Sequence, residues 1–392
     1  VSALKNTNSV GNPAVHNHSF SSPPGNRSDF DIVSRNGSSR KFWQKLVKFL
    51  ALVLVAVIGF GTGVFVYFYR ILGNVNYVYT PYVQPEKYEP LDLGELDSLN
   101  LEGDTQSSWA EGGHTQVYVN PDFPIKNVAQ KDKNIENILV FGVDSRGSHE
   151  VVCRADAIMI VSLDRNNKMI KITSLMRDCT VNIEGRSKPD KLGHSYAYGG
   201  VGLLINTIND NFGLDINRFV MLDFHSSSRI IDALGGVEID VKSNEVKYAN
   251  IVIKEHNHLF GEDVPYLTHE GYQTLSGTQA IGWARIRYSD SDFVRTSRQR
   301  TVASALMKKV SAMDTLGQLA IMEELAGMFE TNMKSDDLTR VGFDGVSLSG
   351  QIVEYRVPAD GMYTTQANPW MMILDWEKQI PALHEYIWGE AE

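Results

Sequence analysis

From Phe49 to Tyr69 the chain reads FLALVLVAVIGFGTGVFVYFY, twenty-one residues without a charge. At 1.5 Å per residue a helix of that length reaches about 31 Å, close to the hydrocarbon thickness of a bilayer. Phe42 and Trp43 lie at one end and Tyr67, Phe68 and Tyr69 at the other, where aromatic rings favour the headgroup region. Buried core helices seldom run this long without a charge, and the apolar stretch of a cleaved signal peptide is shorter and nearer the N-terminus. The sequence therefore predicts one transmembrane helix over residues 46–70.

Charge sets the orientation. Residues 1–48 carry seven Lys or Arg against Asp29 and Asp31, with Arg40, Lys41, Lys45 and Lys48 nearest the span. Residues 70–135 carry five basic and ten acidic side chains. The positive-inside rule puts the N-terminus in the cytoplasm and everything after Arg70 outside, so the expected location is the cell membrane, single-pass, with an extracellular catalytic portion. Residues 1–45, rich in Ser, Asn, Gly and Pro, are expected to be a disordered cytoplasmic tail. Because the chain opens on Val1, its natural start is expected to lie upstream or to have been processed.

Past the span, Pro81, Pro85, Pro90, Pro121 and Pro124 punctuate residues 71–133, which read as an extracellular stalk or small accessory region. From residue 134 to 392 short apolar runs alternate with helical patterns. Strands are expected at Asn137–Val143, Ala157–Leu163 and Met169–Leu175, then a helix near 201–211 and a strand at Arg218–Asp223. A helix over 226–234, a strand at Val237–Val241, helices at Gly277–Ala284 and 296–313 and an amphipathic pair follow. The expected fold is α/β, a mixed sheet sandwiched between helices. The net charge of −10 argues against a general nucleic-acid binder, and two cysteines exclude a disulfide scaffold or a four-cysteine zinc site.

If the first three strands form an antiparallel meander, Asp144, Arg154, Asp156 and Arg177 gather at one sheet end. Two carboxylates there offer oxygen ligands to Mg²⁺, and guanidinium groups suit phosphate oxygens. A surface salt-bridge cluster is the alternative. The stretch ARIRYSDSDFVRTSRQR, residues 284–300, sharpens the choice, with five arginines against Asp290 and Asp292. Arg285 and Arg287 are two apart, on one face of an extended segment. Arg295, Arg298 and Gln299 share a face at a helix start, where free backbone N–H groups also favour an anion. A solvated basic face is the competing reading.

Other signals are weaker. No P-loop, G-x-S-x-G elbow or H-E-x-x-H motif occurs. His256, His258 and His269 offer possible metal ligands, though scattered loop histidines are more often solvated. Lys191, after Pro189-Asp190, is placed to hold phosphate at a helix start. Cys153 and Cys179 fall beside Arg154 and Arg177, and a bridge between them is the hypothesis if the domain is extracellular, with two buried free thiols as the alternative.

The residues NILVFGVDSRG, CRADAIMIVSLD, ITSLMRD, KLGHSYAYGG, DALGGVEIDV and WARIRYSDSDFVRTSRQR, in this order, make residues 134–392 resemble the LytR-CpsA-Psr family of cell-wall proteins. The resemblance implies a membrane-anchored phosphotransferase of Gram-positive-type bacteria. It would move a glycopolymer, such as teichoic acid or capsular polysaccharide, from a polyprenyl-pyrophosphate carrier to peptidoglycan. Asp144 and Asp156 match the metal-binding carboxylates, with Mg²⁺ the expected ion and Mn²⁺ a substitute. Arg154, Arg177, Arg285, Arg287, Arg295 and Gln299 match the residues that hold the pyrophosphate, and an apolar tunnel would take the lipid. The usual Arg-Ser-Asp is here Arg154-Ala155-Asp156, the usual Lys-Leu-Asn is Lys191-Leu192-Gly193, and Trp283 replaces a Tyr. The rival readings are a pyrophosphatase that hydrolyses the carrier, which would release free polymer, and a non-enzymatic envelope regulator or adaptor. A tail without a helix-turn-helix pattern weighs against direct transcription control.

Overall fold

The computed structural model of the chain describes Lys48 and residues 75–87, 123–143, 154–286, 292–325 and 327–389. The chain forms two units, Val1–Thr62 and Gly63–Glu392, and apart from Lys48 everything described belongs to the second. The expected tail over 1–45 lies outside the described residues, as does the expected span over 46–70 except for Lys48. Among the described residues no helix is long and apolar enough to cross a membrane.

The three apolar runs form the meander that their pattern predicts. Ile135–Val143 pairs antiparallel with Ala155–Asp164, with Ile138 opposite Val161 and Val143 opposite Ala155. Ala155–Asp164 pairs antiparallel with Met169–Leu175, with Ile158 opposite Leu175. The turn between them closes through Lys168 at φ 54°. Arg218–Asp223 adds in parallel beside Ile135–Val143, and Ile352–Val357 adds in parallel beside Met169–Leu175. Seven strands result, in the order 76–77, 330–331, 218–223, 135–143, 155–164, 169–175 and 352–357. The fold is a mixed sheet covered by helices, as expected.

Alternation along the strands divides the side chains between two faces. Leu139, Phe141, Ile158 and Ile160 face one way and are buried with Tyr198, Leu204, Ile208 and Phe212 of the helix Leu192–Phe212. Ile138, Leu163, Ile170 and Ile172 belong to a second core with Leu338 and Leu348 of the helix Ser335–Leu348. A third core joins the helices Phe224–Ala233, Ser243–Phe260, Gly277–Ala284 and Asp292–Ser311 with the hairpin of Val237–Val241 and Gly271–Leu275. The expected helix near 201–211 is the second part of Leu192–Phe212, which breaks at Gly199 and Gly200. The helix Ser243–Phe260, the strand Ile352–Val357 and the hairpin of Tyr363–Ala367 and Trp370–Leu374 are additions to the elements read from sequence.

The described parts of 71–133 are built into this domain. Asn76–Tyr77 pairs with Glu330–Thr331, and Tyr82–Val83 pairs with Ile125–Lys126. Phe123 and Ile125 are fully buried in the first core. Gly202 permits this approach, because a Cβ there would stand 1.9 Å from the Phe123 carbonyl oxygen.

One charged knot ties the sheet to the helix behind it. Glu136 accepts hydrogen bonds at 3.0 Å from Arg165 at Oε2 and from Arg340 at Oε1, and Arg218 closes on Oε1 as well. Burial alone would raise the Glu136 pKa, but Arg340, Arg165 and Arg218 outweigh it and bring it down to about 2. A carboxyl depressed on folding contributes stability above its unfolded pKa, near 4.5, and loses that contribution as pH falls toward 2. Glu136→Gln is expected to lower unfolding free energy at neutral pH by on the order of 3 kcal/mol. It should also flatten the acid-side loss of stability in that window, as urea unfolding at several pH values will show.

Candidate active site

The meander brings the C-terminal ends of 135–143, 169–175 and 218–223 to the same sheet end as the start of 155–164. There Arg177, two residues past its strand, ion-pairs through Nη1 with Asp156. Its Nε stands 3.5 Å from a carboxylate oxygen of Asp178 and 3.5 Å from one of Asp292. Asp292 opens the helix Asp292–Ser311 and accepts from Arg295 Nη2 at 2.9 Å, one turn on. Lys191, the residue before the helix Leu192–Phe212, holds its Nζ 3.6 Å from Asp178 Oδ1. Strand, turn and two helices thus each supply a charge.

Gly193 lets the second helix come this close. Its backbone N–H donates to the Arg177 carbonyl at 2.9 Å, and a Cβ on it would lie 2.8 Å from the Ala155 carbonyl oxygen. Two of the three positions that depart from the family pattern, Ala155 and Gly193, therefore meet each other beside Arg177.

Electrostatics follow from this crowding. Burial would lower the Arg177 pKa, but Asp156, Asp178 and Asp292 outweigh it and hold the guanidinium protonated. Burial raises the Asp178 carboxyl above its usual range; Arg177 opposes this, and a hydrogen bond with Asp292 adds to it. The cluster counts Arg177, Arg295 and Lys191 against Asp156, Asp178 and Asp292, three charges of each sign. Arg154 lies half-buried at the head of the 155–164 strand. Asp144 and Arg287, expected as a metal ligand and a phosphate-binding residue, lie outside the described residues.

Arg285 and Gln299 occupy a second position at this end. The helix Gly277–Ala284 starts with a capping box, in which Ser276 and Gln279 bond to each other's backbone, and it ends at Arg285. The Arg285 guanidinium lies over the Phe224 ring, 3.8 Å from its centroid, a cation–π contact. Arg285 and Gln299 border a cavity of about 150 Å³ whose other walls are apolar except at Ser227, among them Val140, Ala157, Met159, Leu222, Ala303 and Leu306. Along the helix Asp292–Ser311 the stripe of Arg295, Gln299, Ala303 and Leu306 passes from the charged cluster into this cavity.

Two expectations need correction. Arg298 belongs to the fold: it is buried, its Nε and Nη2 each lie 3.0 Å from Glu245 Oε1, and Trp283 Nε1 donates to the other Glu245 oxygen at 2.7 Å. Positions 298 and 299 are about 100° apart around a helix, so the guanidinium turns toward the Ser243–Phe260 helix while Gln299 turns to the cavity. Cys179 is a free, fully buried thiol whose pKa burial drives up, so the expected bridge to Cys153 is not formed; Cys153 itself lies outside the described residues. Asp178 carried no signal in sequence beyond its place after Arg177, and Asp292 was visible only as a charge opposing the arginines. Of the histidines singled out, His258 and His269 are exposed, whereas His256 is buried near Glu262 and His225.

The LytR_cpsA_psr family model matches residues 103–379. Similar proteins include the polyisoprenyl-teichoic acid–peptidoglycan teichoic acid transferase TagU of Enterococcus faecalis, 27% identical over 229 residues, covering 57% of this chain and 70% of that one. The Bacillus cereus protein of the same name is 28% identical over 228 residues, covering 57% and 69%. Among solved structures, TagT bound to LIIa-WTA is 26% identical with a TM-score of 0.52, covering 66% of this chain and 94% of that one. Protein gbs0355 from Streptococcus agalactiae, 21% identical with a TM-score of 0.56, covers 66% and 90% and shares the fold.

Arg298→Ala is expected to cost roughly 3–5 kcal/mol of stability by leaving Glu245 buried without its partner. Removing both groups, in Arg298→Met with Glu245→Leu, should recover part of that loss in urea unfolding. An Arg298→Ala chain as stable as the parent would return Arg298 to the candidate ligand-binding residues.

Proposed function

The chain belongs to the LytR-CpsA-Psr family, and from that premise we propose that it transfers a glycopolymer from a polyprenyl-pyrophosphate carrier to peptidoglycan. The observation that carries this reading is the single helix face that runs from a cluster of buried charges into an apolar cavity. A ligand with an anionic head and a hydrocarbon tail matches both halves at once. The relatives named as teichoic acid transferases, and TagT bound to LIIa-WTA, support it.

Arg177, Arg285, Arg295, Gln299, Lys191 and Arg154 would hold the pyrophosphate, joined by Arg287. Arginine's fork bonds two phosphate oxygens together, and Arg285 is kept in place by its Phe224 platform. The acceptor hydroxyl attacks the polymer-bearing phosphorus and gives its proton to a carboxylate of the cluster, Asp144 or Asp156. A new P–O bond forms, the bond to the second phosphate breaks, and polyprenyl phosphate departs. Negative charge builds on the leaving phosphate, where fixed cations in a partly dry site are worth most.

A divalent cation fits the cluster. Asp156, Asp178 and Asp292 offset most of the positive charge of Arg177, Arg295 and Lys191, so a pyrophosphate calls for additional positive charge. The donors are carboxylate oxygens, and Asp178 and Asp292 are pressed into a shared hydrogen bond that a cation would relieve. We assign Mg²⁺, with Mn²⁺ able to replace it, to Asp156 and Asp144; when bound it neutralises charge on the phosphates. We also place residues 46–70 across the cell membrane with the N-terminus in the cytoplasm and this domain outside, on the strength of their apolar length and flanking charge.

The test reconstitutes the full chain in lipid vesicles with lipid-linked polymer, Mg²⁺ and peptidoglycan oligomers, and measures joined product. Transfer is expected, and Arg285→Ala should reduce it by roughly 100-fold or more with an unchanged melting curve. Free polymer released without joined product would replace this reading with a pyrophosphatase.

A further inference from the structure

Outside the charged cluster, three side chains converge from two segments of the chain. His225 begins the Phe224–Ala233 helix, His256 lies in the last turns of Ser243–Phe260, and Glu262 follows that helix. His256 Nε2 is 3.2 Å from Glu262 Oε2, and His225 Nδ1 is 3.8 Å from Glu262 Oε1. One ligand atom from each of the three lies within 4.8 Å of the others. We propose that His225, His256 and Glu262 form a binding site for a first-row transition cation of the Zn²⁺ type, separate from the Mg²⁺ assigned to the phosphate cluster.

Three observations carry this. The donor set is two imidazole nitrogens and one carboxylate, which selects Zn²⁺-like ions over the hard, oxygen-seeking Mg²⁺. With bonds of about 2.0–2.1 Å, neighbouring ligand atoms of a tetrahedral zinc stand about 3.3 Å apart. The observed separations, 3.2 Å to Glu262 Oε2 and 3.8 Å to its Oε1, involve different carboxylate oxygens, and one atom from each residue lies within 4.8 Å of the others, so binding would draw the three side chains inward by up to about 1.5 Å. The third observation is an unsatisfied atom. His225 Nδ1 is buried and makes no hydrogen bond among the described residues, although its ring stacks on Phe260 at 5.1 Å and is fixed in place. An ion pair between His256 and Glu262 alone would leave that nitrogen without a role. Thr278 Oγ1, 3.3 Å from His256 Nε2, also bonds Ser228 Oγ at 3.0 Å, so it can give up the imidazole without losing every partner.

The site would fasten the start of one helix to the end of another. Phe224, whose ring underlies Arg285, immediately precedes His225. Occupancy would therefore steady the platform of a phosphate-binding arginine without touching the phosphate.

The test strips the full chain with chelator in detergent, then titrates Zn²⁺ in the presence of excess Mg²⁺, with metal content measured after gel filtration. Wild type is expected to retain one equivalent and to melt at higher temperature with Zn²⁺. His225→Gln and Glu262→Gln, both at half-buried positions, should each lose at least about tenfold in Zn²⁺ affinity while melting normally without metal. Asp156→Asn should retain the zinc. Co²⁺ in place of Zn²⁺ should give the visible absorption of a tetrahedral site. Absence of binding, binding unaffected by His225→Gln and Glu262→Gln, or loss of binding in Asp156→Asn would each overturn the proposal.

Discussion

Arg177 cannot shed its proton, so a fold that half-buries it must surround it with acid. It does so with one carboxylate from a central strand, one from the next residue of the chain, and one from the start of a helix more than a hundred residues later. Each depends on a different part of the architecture. Asp156 requires the strand register that sets Val143 against Ala155. Asp292 requires the helix Asp292–Ser311 to begin at this sheet end, and Lys191 requires Gly193 to admit the neighbouring helix. Removing one partner of such a half-buried pair leaves the other charge partly desolvated and unpaired, a loss that matters against a domain's small net stability. The same arrangement offsets most of the cluster's positive charge, so on the proposed reading a phosphate would depend on the groups at its margin, Arg154, Arg285 and a divalent cation.

The cavity beneath is partly open, and its lining is apolar apart from Arg285, Gln299 and Ser227. Covering such a surface with hydrocarbon gains roughly 25 cal/mol per Å² of apolar area removed from water. On the proposed reading the space takes the first part of a hydrocarbon tail next to Arg285 and Gln299, with the phosphates toward Arg177.

Sequence pattern was most informative where forces are local. Three apolar runs separated by turn residues were enough to place the meander, and the meander was enough to bring Asp156 and Arg177 to one sheet end. Helical spacing was less reliable. It grouped Arg295, Arg298 and Gln299 on one face, yet Arg298 lies on the flank of that face and pairs with Glu245, 53 residues earlier. The parallel strand Ile352–Val357 contacts Met169–Leu175 across nearly two hundred residues, and no periodicity announces such a pairing. His225, His256 and Glu262 come from segments whose meeting depends on how helices pack, so sequence alone presented scattered histidines. Cys179 fell at the predicted sheet end, but its side chain is enclosed beside the Val357 carbonyl.

The central claim is that the charged cluster and the apolar cavity are two halves of one ligand site. The direct measurement is the affinity of the full chain, in detergent, for polyprenyl pyrophosphate and for inorganic pyrophosphate, in wild type and in Ala303→Phe, which fills the cavity. Each buried methylene is worth about 0.8 kcal/mol, so burying even one isoprene unit exceeds a tenfold change. Wild type should bind the lipid at least about tenfold more tightly than the inorganic ion, and Ala303→Phe should erase that advantage without weakening the ion. Equal affinity for the two ligands in wild type, or a lipid advantage that survives Ala303→Phe, would contradict the account.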